Sequence, residues 1–294
     1  MKSIFKLSVL FFLLTLTIDA QGRFNDVQIE ITKLTDHTYM LEGAGGNIGV
    51  SVGDDGVFVI DNQFAPLSNL ILSAIEGLSD KPLKFLVNTH FHGDHTGGNE
   101  NMANEGATII AHNNVAKRLK EPQRDGISTP KAAMPVITFN DKLNISINGE
   151  DVAVFHVANA HTDGDSLLYF TESNVLHTGD TYFNGRYPYI DLNSGGSVDG
   201  YIEAVKHGLM VIDDETKIIP GHGKLSNREE YKNFLTMLVT LRNNIQAAID
   251  AGKTEEEIKA DRSLTKTYDD MDYGSGFINS ERIRSTFYNS LREK

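Results

Sequence analysis

Cysteine is absent from the chain. That excludes disulfides, thiolate metal ligands and a cysteine nucleophile, so any reactive centre must be built from imidazole, carboxylate or hydroxyl groups. Basic residues are scarce relative to acids: 27 Lys and Arg against 40 Asp and Glu give a formal net charge of −13. A polyanion of this kind is a poor partner for nucleic acid or an anionic lipid surface. Long apolar runs are missing too, except for Leu7 to Ile18, which follows Lys2 and Lys6 and precedes the small residue Ala20. This run is shorter than the roughly 20 residues a bilayer demands. Residues 1–20 therefore read as a secretory signal peptide cut before Gln21, with an uncleaved anchor as the alternative. Its removal takes away Lys2, Lys6 and Asp19 and leaves a mature chain of about −14 without a membrane span. The expected location is periplasmic or secreted. Export without disulfides requires a core able to stand alone, and a hydrophobic fraction of 40% in 294 residues supplies one.

What is present alternates between strand and helix patterns. From Asp26 to Asp61 the stretches IEITKL, TYMLEG, NIGVSVG and GVFVID read as hairpin-paired strands around the turn signal Asp54-Asp55-Gly56. Leu67, Leu70, Ile71, Ala74, Ile75 and Leu78 follow the helical period, and Pro66 suits an early helical position. After the strand Lys84 to Thr89 come a short strand at Thr108 to Ala111, a helix from Asn113 to Leu119 and a surface loop from Lys120 to Pro135. A second β pattern runs from Leu143 to Val157 through the hairpin signal Asn148-Gly149, then Ser166 to Phe170 and Asn174 to Thr178. Helices are expected from Ser197 to Leu209, from Asn227 to Ala251 and from Ser280 to Leu291, with a strand at Lys217 to Pro220. Thr254 with Glu257 fits a capping box. The β-then-α order occurs twice, which points to an α/β (α+β) fold of two similar halves, each a sheet with helices on one face. The expected division is a main body over residues 21–251 and a C-terminal helical extension over 252–294.

The densest chemistry lies in FLVNTHFHGDHT, residues 85–96. His90, His92, Asp94 and His95 fall within six residues, and three of them come from only ten histidines in the chain. Histidines two apart in extended backbone project to the same side, so His90 and His92 can share one ion, while Asp94 and His95 lie past Gly93 where the chain turns away. Imidazole and carboxylate suit zinc, with iron or manganese as substitutes. The bland alternative is a solvated polar loop. Downstream, His161, Asp180 and His222 each sit where a strand pattern stops, and loops at strand ends converge on one sheet edge. Together they make seven candidate ligands, enough for two ions with positions left for water.

HFHGDH at 90–95, followed in order by His161, Asp180 and His222, resembles the metallo-β-lactamase fold superfamily of hydrolases. Asp61 after VFVI resembles that family's first strand-end aspartate. The resemblance runs from about Thr38 to His222 and implies a four-layer αββα sandwich with a dinuclear metal site at one edge. It implies that His90, His92 and His161 hold one zinc, that Asp94, His95 and His222 hold the other, and that Asp180 bridges the two Zn2+. The missing cysteine sets the chain apart from the best-known zinc β-lactamases and makes it similar to the aspartate-bridged hydrolases such as glyoxalase II and lactonases. His92, where the diiron members carry glutamate, favours hydrolysis over redox chemistry.

Two zinc ions about 3.5–4 Å apart lower the pKa of a shared water from 15.7 toward about 7. The expectation is a hydrolase that attacks a lactone, ester, thioester or β-lactam carbonyl of a small-molecule substrate with a bridging hydroxide. A phosphodiesterase using the same ions and a non-catalytic metal-binding module are the alternatives, and the oligomeric state is left open. Asp94 is a ligand and a candidate proton acceptor. Asp61 either holds an imidazole through its outer nitrogen or caps a strand. In the loop TYFNGRYPYIDLNSGGS, Tyr182, Arg186 and Tyr189 could grip substrate or merely pack, and Lys224 could meet a substrate carboxylate or stand exposed. His177 is expected to pack inside, and His112, His156, His207 and His37 to be structural or on the surface.

Overall fold

The computed structural model describes residues 22, 24–122, 126 and 128–292. The signal-peptide reading of residues 1–20 and part of the surface loop expected over 120–135 lie outside them.

Seven strands build the first sheet in chain order: β1 (Glu30–Lys33), β2 (Thr38–Glu42), β3 (Ile48–Gly53), β4 (Gly56–Ile60), β5 (Leu83–Asn88), β6 (Thr108–His112) and β7 (Ile137–Phe139). The first four form an antiparallel meander, as their short turns require, and β4 to β7 run parallel. Parallel neighbours need crossovers. These are helix α1 (Ser68–Glu76) between β4 and β5, α2 (Gly93–Thr96) with α3 (Asn99–Asn104) between β5 and β6, and α4 (Asn113–Lys120) between β6 and β7.

The second sheet repeats the plan with β8 (Lys142–Ile147), β9 (Glu150–His156), β10 (Ser166–Phe170), β11 (Val175–His177), β12 (Lys217–Ile219) and β13 (Ser226–Asn227). β8 to β11 are antiparallel and β11 pairs parallel with β12. Asn148 and Gly149, at φ 55° and 73°, make the β8–β9 turn with the left-handed backbone that this dipeptide tolerates best. The β11-to-β12 crossover is α5 (Val198–Val211), capped by Ser197 Oγ accepting from Gly200 N at 3.0 Å. Then follow α6 (Arg228–Asp250), α7 (Glu255–Ala260) with the expected Thr254–Glu257 capping box, α8 (Lys266–Asp269) and α9 (Ser280–Arg292).

The period-2 alternation of the strands sorts side chains into three apolar layers. Phe58 and Ile60 of β4 point at Leu168 and Phe170 of β10 and Ile219 of β12, filling the space between the sheets. Their neighbours Val57 and Val59 point the other way, onto Ile71 and Ile75 of α1 and Met102 of α3. Leu167, Leu176 and Ile218 face Tyr201 and Val205 of α5, Phe234 and Leu238 of α6, and Ile283, Phe287 and Leu291 of α9. The result is helix, sheet, sheet, helix: the αββα sandwich. Residues after 251 contribute to the same apolar layer as α5 and α6. Among the described residues no helix is long and apolar enough to cross a membrane.

Candidate metal centre

Both sheets direct the carboxyl ends of their parallel strands to one edge, where open α/β sheets place their ligands. Asp61 follows β4, and His90 and His92 follow β5. His161 follows β9, Asp180 sits in a turn just after β11, and His222 lies three residues past β12. His92 caps α2, and this single helical turn swings Asp94 and His95 away from the preceding pair. The seven candidate ligands come together as two groups. His90, His92, His161 and Asp180 form one, Asp94, His95 and His222 the other, with the ligand atoms of each group within 4.8 Å of one another.

The Asp180 carboxylate faces both. Its Oδ1 lies 3.0 Å from His95 Nε2 and 3.4 Å from His222 Nε2. Its Oδ2 lies 3.6 Å from His161 Nε2 and 3.9 Å from His90 Nε2. Asp94 Oδ2 is 3.3 Å from His222 Nε2 and 3.8 Å from His95 Nε2. Four ligands at about 2.1 Å around a tetrahedral zinc stand roughly 3.4 Å from each other, so these separations suit an ion. The chemistry of the donors suits one as well. His90 Nε2, His95 Nε2 and Asp180 Oδ1 are buried with no hydrogen-bond partner. Buried polar atoms are seldom left so in a folded protein, and a site for a bound ion is one of the few explanations.

Charge follows the same geometry. Burial would raise the Asp94 carboxyl, but His95 and His222 outweigh it and bring its pKa to about 2. Burial would likewise lower His222, yet Asp180 and Asp94 carry it up to about 9. His161, where burial dominates, falls to about 4.

The outer nitrogens of four ligand imidazoles are fixed by partners, as ligating histidines require. Asp61, fully buried, accepts from Thr89 N at 2.8 Å through Oδ1. Its Oδ2 lies 2.7 Å from Thr89 Oγ1 and 2.7 Å from His95 Nδ1. With Thr89 donating to Asp61, its oxygen is left to accept from His90 Nδ1 at 3.1 Å. In the neutral imidazoles one carboxylate therefore sets both tautomers, with the proton on Nδ1 and the lone pair on Nε2 of His90 and His95. Asp61 does this from φ 60°, a left-handed conformation that Asp and Asn tolerate better than most residues. His161 Nδ1 meets Tyr189 O at 2.8 Å, and His92 Nε2 meets Asp191 Oδ2 at 3.1 Å. His92 Nδ1 then points inward, 2.8 Å from His161 Nε2.

Several residues of this framework escape a reading of the sequence. Asp191 is one; a lone Asp in a glycine-rich loop carries no spacing signal. Asn47 is another: its Nδ2 donates to Pro220 O at 2.9 Å and Gly223 O at 2.8 Å, tying the 43–47 loop to the loop that carries His222. Asn62, Asn88 and Asn99 form a buried amide cluster under the histidine loop. Two glycines are required by close approach. A Cβ on Gly46 would lie 2.0 Å from His95 Cε1, and one on Gly221 would lie 2.2 Å from Asp180 Oδ1.

The weaker substrate candidates divide. Tyr189 stands beside the first group, its ring stacked 5.8 Å from His92 and edge-on to His161 at 5.6 Å. Arg186 is exposed on the same loop. Tyr182 does not reach the site: its ring packs against Tyr231 and Phe234 in the helix layer and its hydroxyl meets Ser226 Oγ at 2.8 Å. A substrate contact there is excluded by that burial. Lys224 is turned to the surface, pairing with Glu30 at 3.3 Å and Glu42 at 3.2 Å, so a substrate carboxylate would have to compete with two of the chain's own. His177 is buried, with Asn47 O and Gly179 N as partners. His112 stacks on His156 at 3.8 Å, and His37 and His207 are exposed.

An αββα sandwich with histidines and aspartates gathered at one edge defines a class, the sandwich proteins that carry a candidate metal centre at the sheet edge. The chain belongs to the metallo-β-lactamase superfamily, whose sequence profile matches residues 41–222. It is 27% identical over 224 residues to the 2,4-dinitroanisole O-demethylase subunit alpha of Nocardioides sp. (strain JS1661), covering 75% of this chain and 65% of that one. It is 28% identical over 162 residues to a hydroxyacylglutathione hydrolase of Pelagibacter ubique, covering 50% and 56%. The chain thus spans less than two thirds of the length of these relatives. In fold it is similar to the metallo-β-lactamase from Pontibacter korlensis, with a TM-score of 0.62, 17% identity and coverage of 72% and 99%. A sec-alkylsulfatase from Pseudomonas sp. superimposes with a TM-score of 0.65 at 16% identity, covering 92% of this chain and 54% of that one.

Proposed function

We propose that the protein is an exported dinuclear zinc hydrolase that cleaves a carbonyl-centred bond, in a lactone, ester, thioester or β-lactam, of a small-molecule substrate. The observation that carries this reading is the Asp180 carboxylate, buried and turned with one oxygen to each histidine group. His90, His92 and His161 would hold one ion, Asp94, His95 and His222 the other, and Asp180 both. Bound there, the pair supplies Lewis acidity toward a carbonyl oxygen and brings the pKa of a water from 15.7 toward about 7. The protein's own part is to hold ligands and move protons. Asp61 holds His90 and His95 through their Nδ1 side so that both Nε2 atoms face the site, Asp191 orients His92, and the Tyr189 carbonyl orients His161. Asp94, its side chain 27% exposed where Asp180 is only 5% exposed, is the ligand carboxylate nearest solvent. It is ionised at neutral pH and so placed to accept a proton from the attacking water and return it to the leaving group.

Support also comes from the hydroxyacylglutathione hydrolase among its relatives. The strong negative charge counts against a nucleic-acid phosphodiester as substrate. The test is metal analysis of the purified protein followed by turnover of nitrocefin, homoserine lactones, thioesters, an alkyl sulfate and bis-nitrophenyl phosphate. Two zinc ions per chain with hydrolysis of a carbonyl substrate is the expected result. Turnover confined to the phosphodiester or the sulfate, or bound zinc without turnover of any of them, would overturn the proposal.

A further inference from the structure

Tyr189 is the inner end of a stack that runs outward to the C-terminal segment. Its ring lies against His92 and His161 on one side. On the other it meets Phe277 edge-on at 5.8 Å, and the Arg282 guanidinium lies over both rings, 5.3 Å from Tyr189 and 4.6 Å from Phe277. Two features of this stack point to a ligand. Phe277 is 73% exposed, an aromatic ring left in water at the mouth of a reactive centre. Arg282 is exposed, and among the described residues no carboxylate lies within ion-pair distance of it, in a chain with 40 acids to 27 basic residues. Two neighbouring arginines of the helix layer are engaged, Arg242 with Asp199 and the buried Arg284 with Lys259 O and Thr265, while Arg186, close to Gly276, is exposed like Arg282. A guanidinium placed beside two aromatic rings, with no carboxylate partner, still has N–H donors to offer an anion.

We propose that Tyr189, Phe277 and Arg282 form the recognition wall of the site. They select a substrate whose apolar or aromatic portion lies on the rings and whose anionic group, carboxylate or sulfate, meets Arg282, one ring removed from the His92 side of the metal centre. This rests on the hydrolase reading and deepens it by naming a substrate class. The segment after residue 251 would then supply specificity as well as core.

The experiment compares wild-type, Arg282→Gln and Arg282→Lys holoprotein on two nitrophenyl esters of matched length, the glutarate monoester with a distal carboxylate and the neutral pentanoate. In parallel, calorimetry measures binding of benzenesulfonate and of neutral methyl phenyl sulfone. The wild type should prefer the glutarate ester, and Arg282→Gln should lower the ratio of the two kcat/KM values about fivefold, through KM, as loss of one partly exposed ion pair does. Arg282→Lys should keep part of the preference. Benzenesulfonate affinity should fall by a similar factor in Arg282→Gln. A preference unchanged by Arg282→Gln, or benzenesulfonate bound equally by wild type and variant, overturns the proposal. If neither ester is turned over yet benzenesulfonate binding depends on Arg282, the hydrolase reading fails on these bonds while the recognition wall stands.

Discussion

Replacing Asp61 by asparagine changes one atom in a fully buried network, and the consequences can be followed proton by proton. Thr89 N–H must donate, so the amide oxygen has to occupy the Oδ1 position, 2.8 Å away. The NH2 group then takes the Oδ2 position, facing Thr89 Oγ1 and His95 Nδ1, each at 2.7 Å. His95 Nδ1 must now accept, which moves its proton to Nε2. Thr89 must accept from the amide as well, so its hydroxyl turns to donate to His90 Nδ1, and the His90 proton also moves to Nε2. Both metal-facing lone pairs are lost while Thr89 N–H, Thr89 Oγ1, His90 Nδ1 and His95 Nδ1 each keep a partner. Removal of such outer partners typically lowers metal affinity about 10–100-fold, and a hundredfold loss withdraws roughly 2.7 kcal/mol of zinc-linked stability at fixed free zinc. Asp61→Ala behaves differently. Thr89 Oγ1 can turn to His90, but Thr89 N–H and His95 Nδ1–H are orphaned at about 1–3 kcal/mol each. The alanine variant should therefore lose about 2–6 kcal/mol even in chelator, whereas Asp61→Asn should melt near wild type in chelator and fail to gain on adding zinc. Thermal melts with and without zinc, alongside competition with a chromophoric chelator, measure both. An asparagine variant that binds two zinc ions with wild-type affinity would refute the tautomer argument.

Gly221→Ala would place a methyl group 2.2 Å from Asp180 Oδ1, so the variant should lose metal at the second group and with it turnover, read by metal analysis. Phe287→Ala removes a fully buried ring shared by α5, α6 and α9 and should cost about 3–5 kcal/mol. Denaturant unfolding should show this as a shift of the single main transition; a separate early transition that leaves the main one in place would mean that α9 is not part of the core. In the metal-free protein, His222 is raised to about 9, so its contribution is complete below its ordinary pKa of 6.5 and lost as pH rises toward 9. His161 and His177, lowered to about 4, contribute above 6.5 and lose that contribution as pH falls toward 4. Chelated protein should thus have its highest melting temperature near pH 6.5, and zinc should flatten the alkaline limb, as differential scanning calorimetry across pH 4–9 would show.

The fold was legible wherever a period was long enough to be seen. Helices at Ser68–Glu76, Val198–Val211, Arg228–Asp250 and Ser280–Arg292 lie within a few residues of the bounds read from apolar spacing and caps. The Asn148-Gly149 turn falls where the dipeptide placed it. The strands Ile137–Phe139 and Ser226–Asn227 are too short to show alternation, and only their pairing with β6 and β12 defines them. The seven clustered residues were readable because histidine is rare in the chain and each lies at the end of a strand pattern. Asn47 and Asp191 were not, because what makes them matter is a contact across the sandwich edge with no trace in local spacing. For Tyr182 the packing alternative holds for the same reason: it lies two residues after Asp180, yet the chain there turns its ring into the helix layer.

The most direct measurement is the metal content of the purified protein and of its Asp180→Ala variant by native mass spectrometry with elemental analysis. Two ions per wild-type chain are expected, with loss of at least one ion together with hydrolysis in the variant. One ion or none in zinc-replete wild type, or two ions and full turnover in Asp180→Ala, would contradict that expectation.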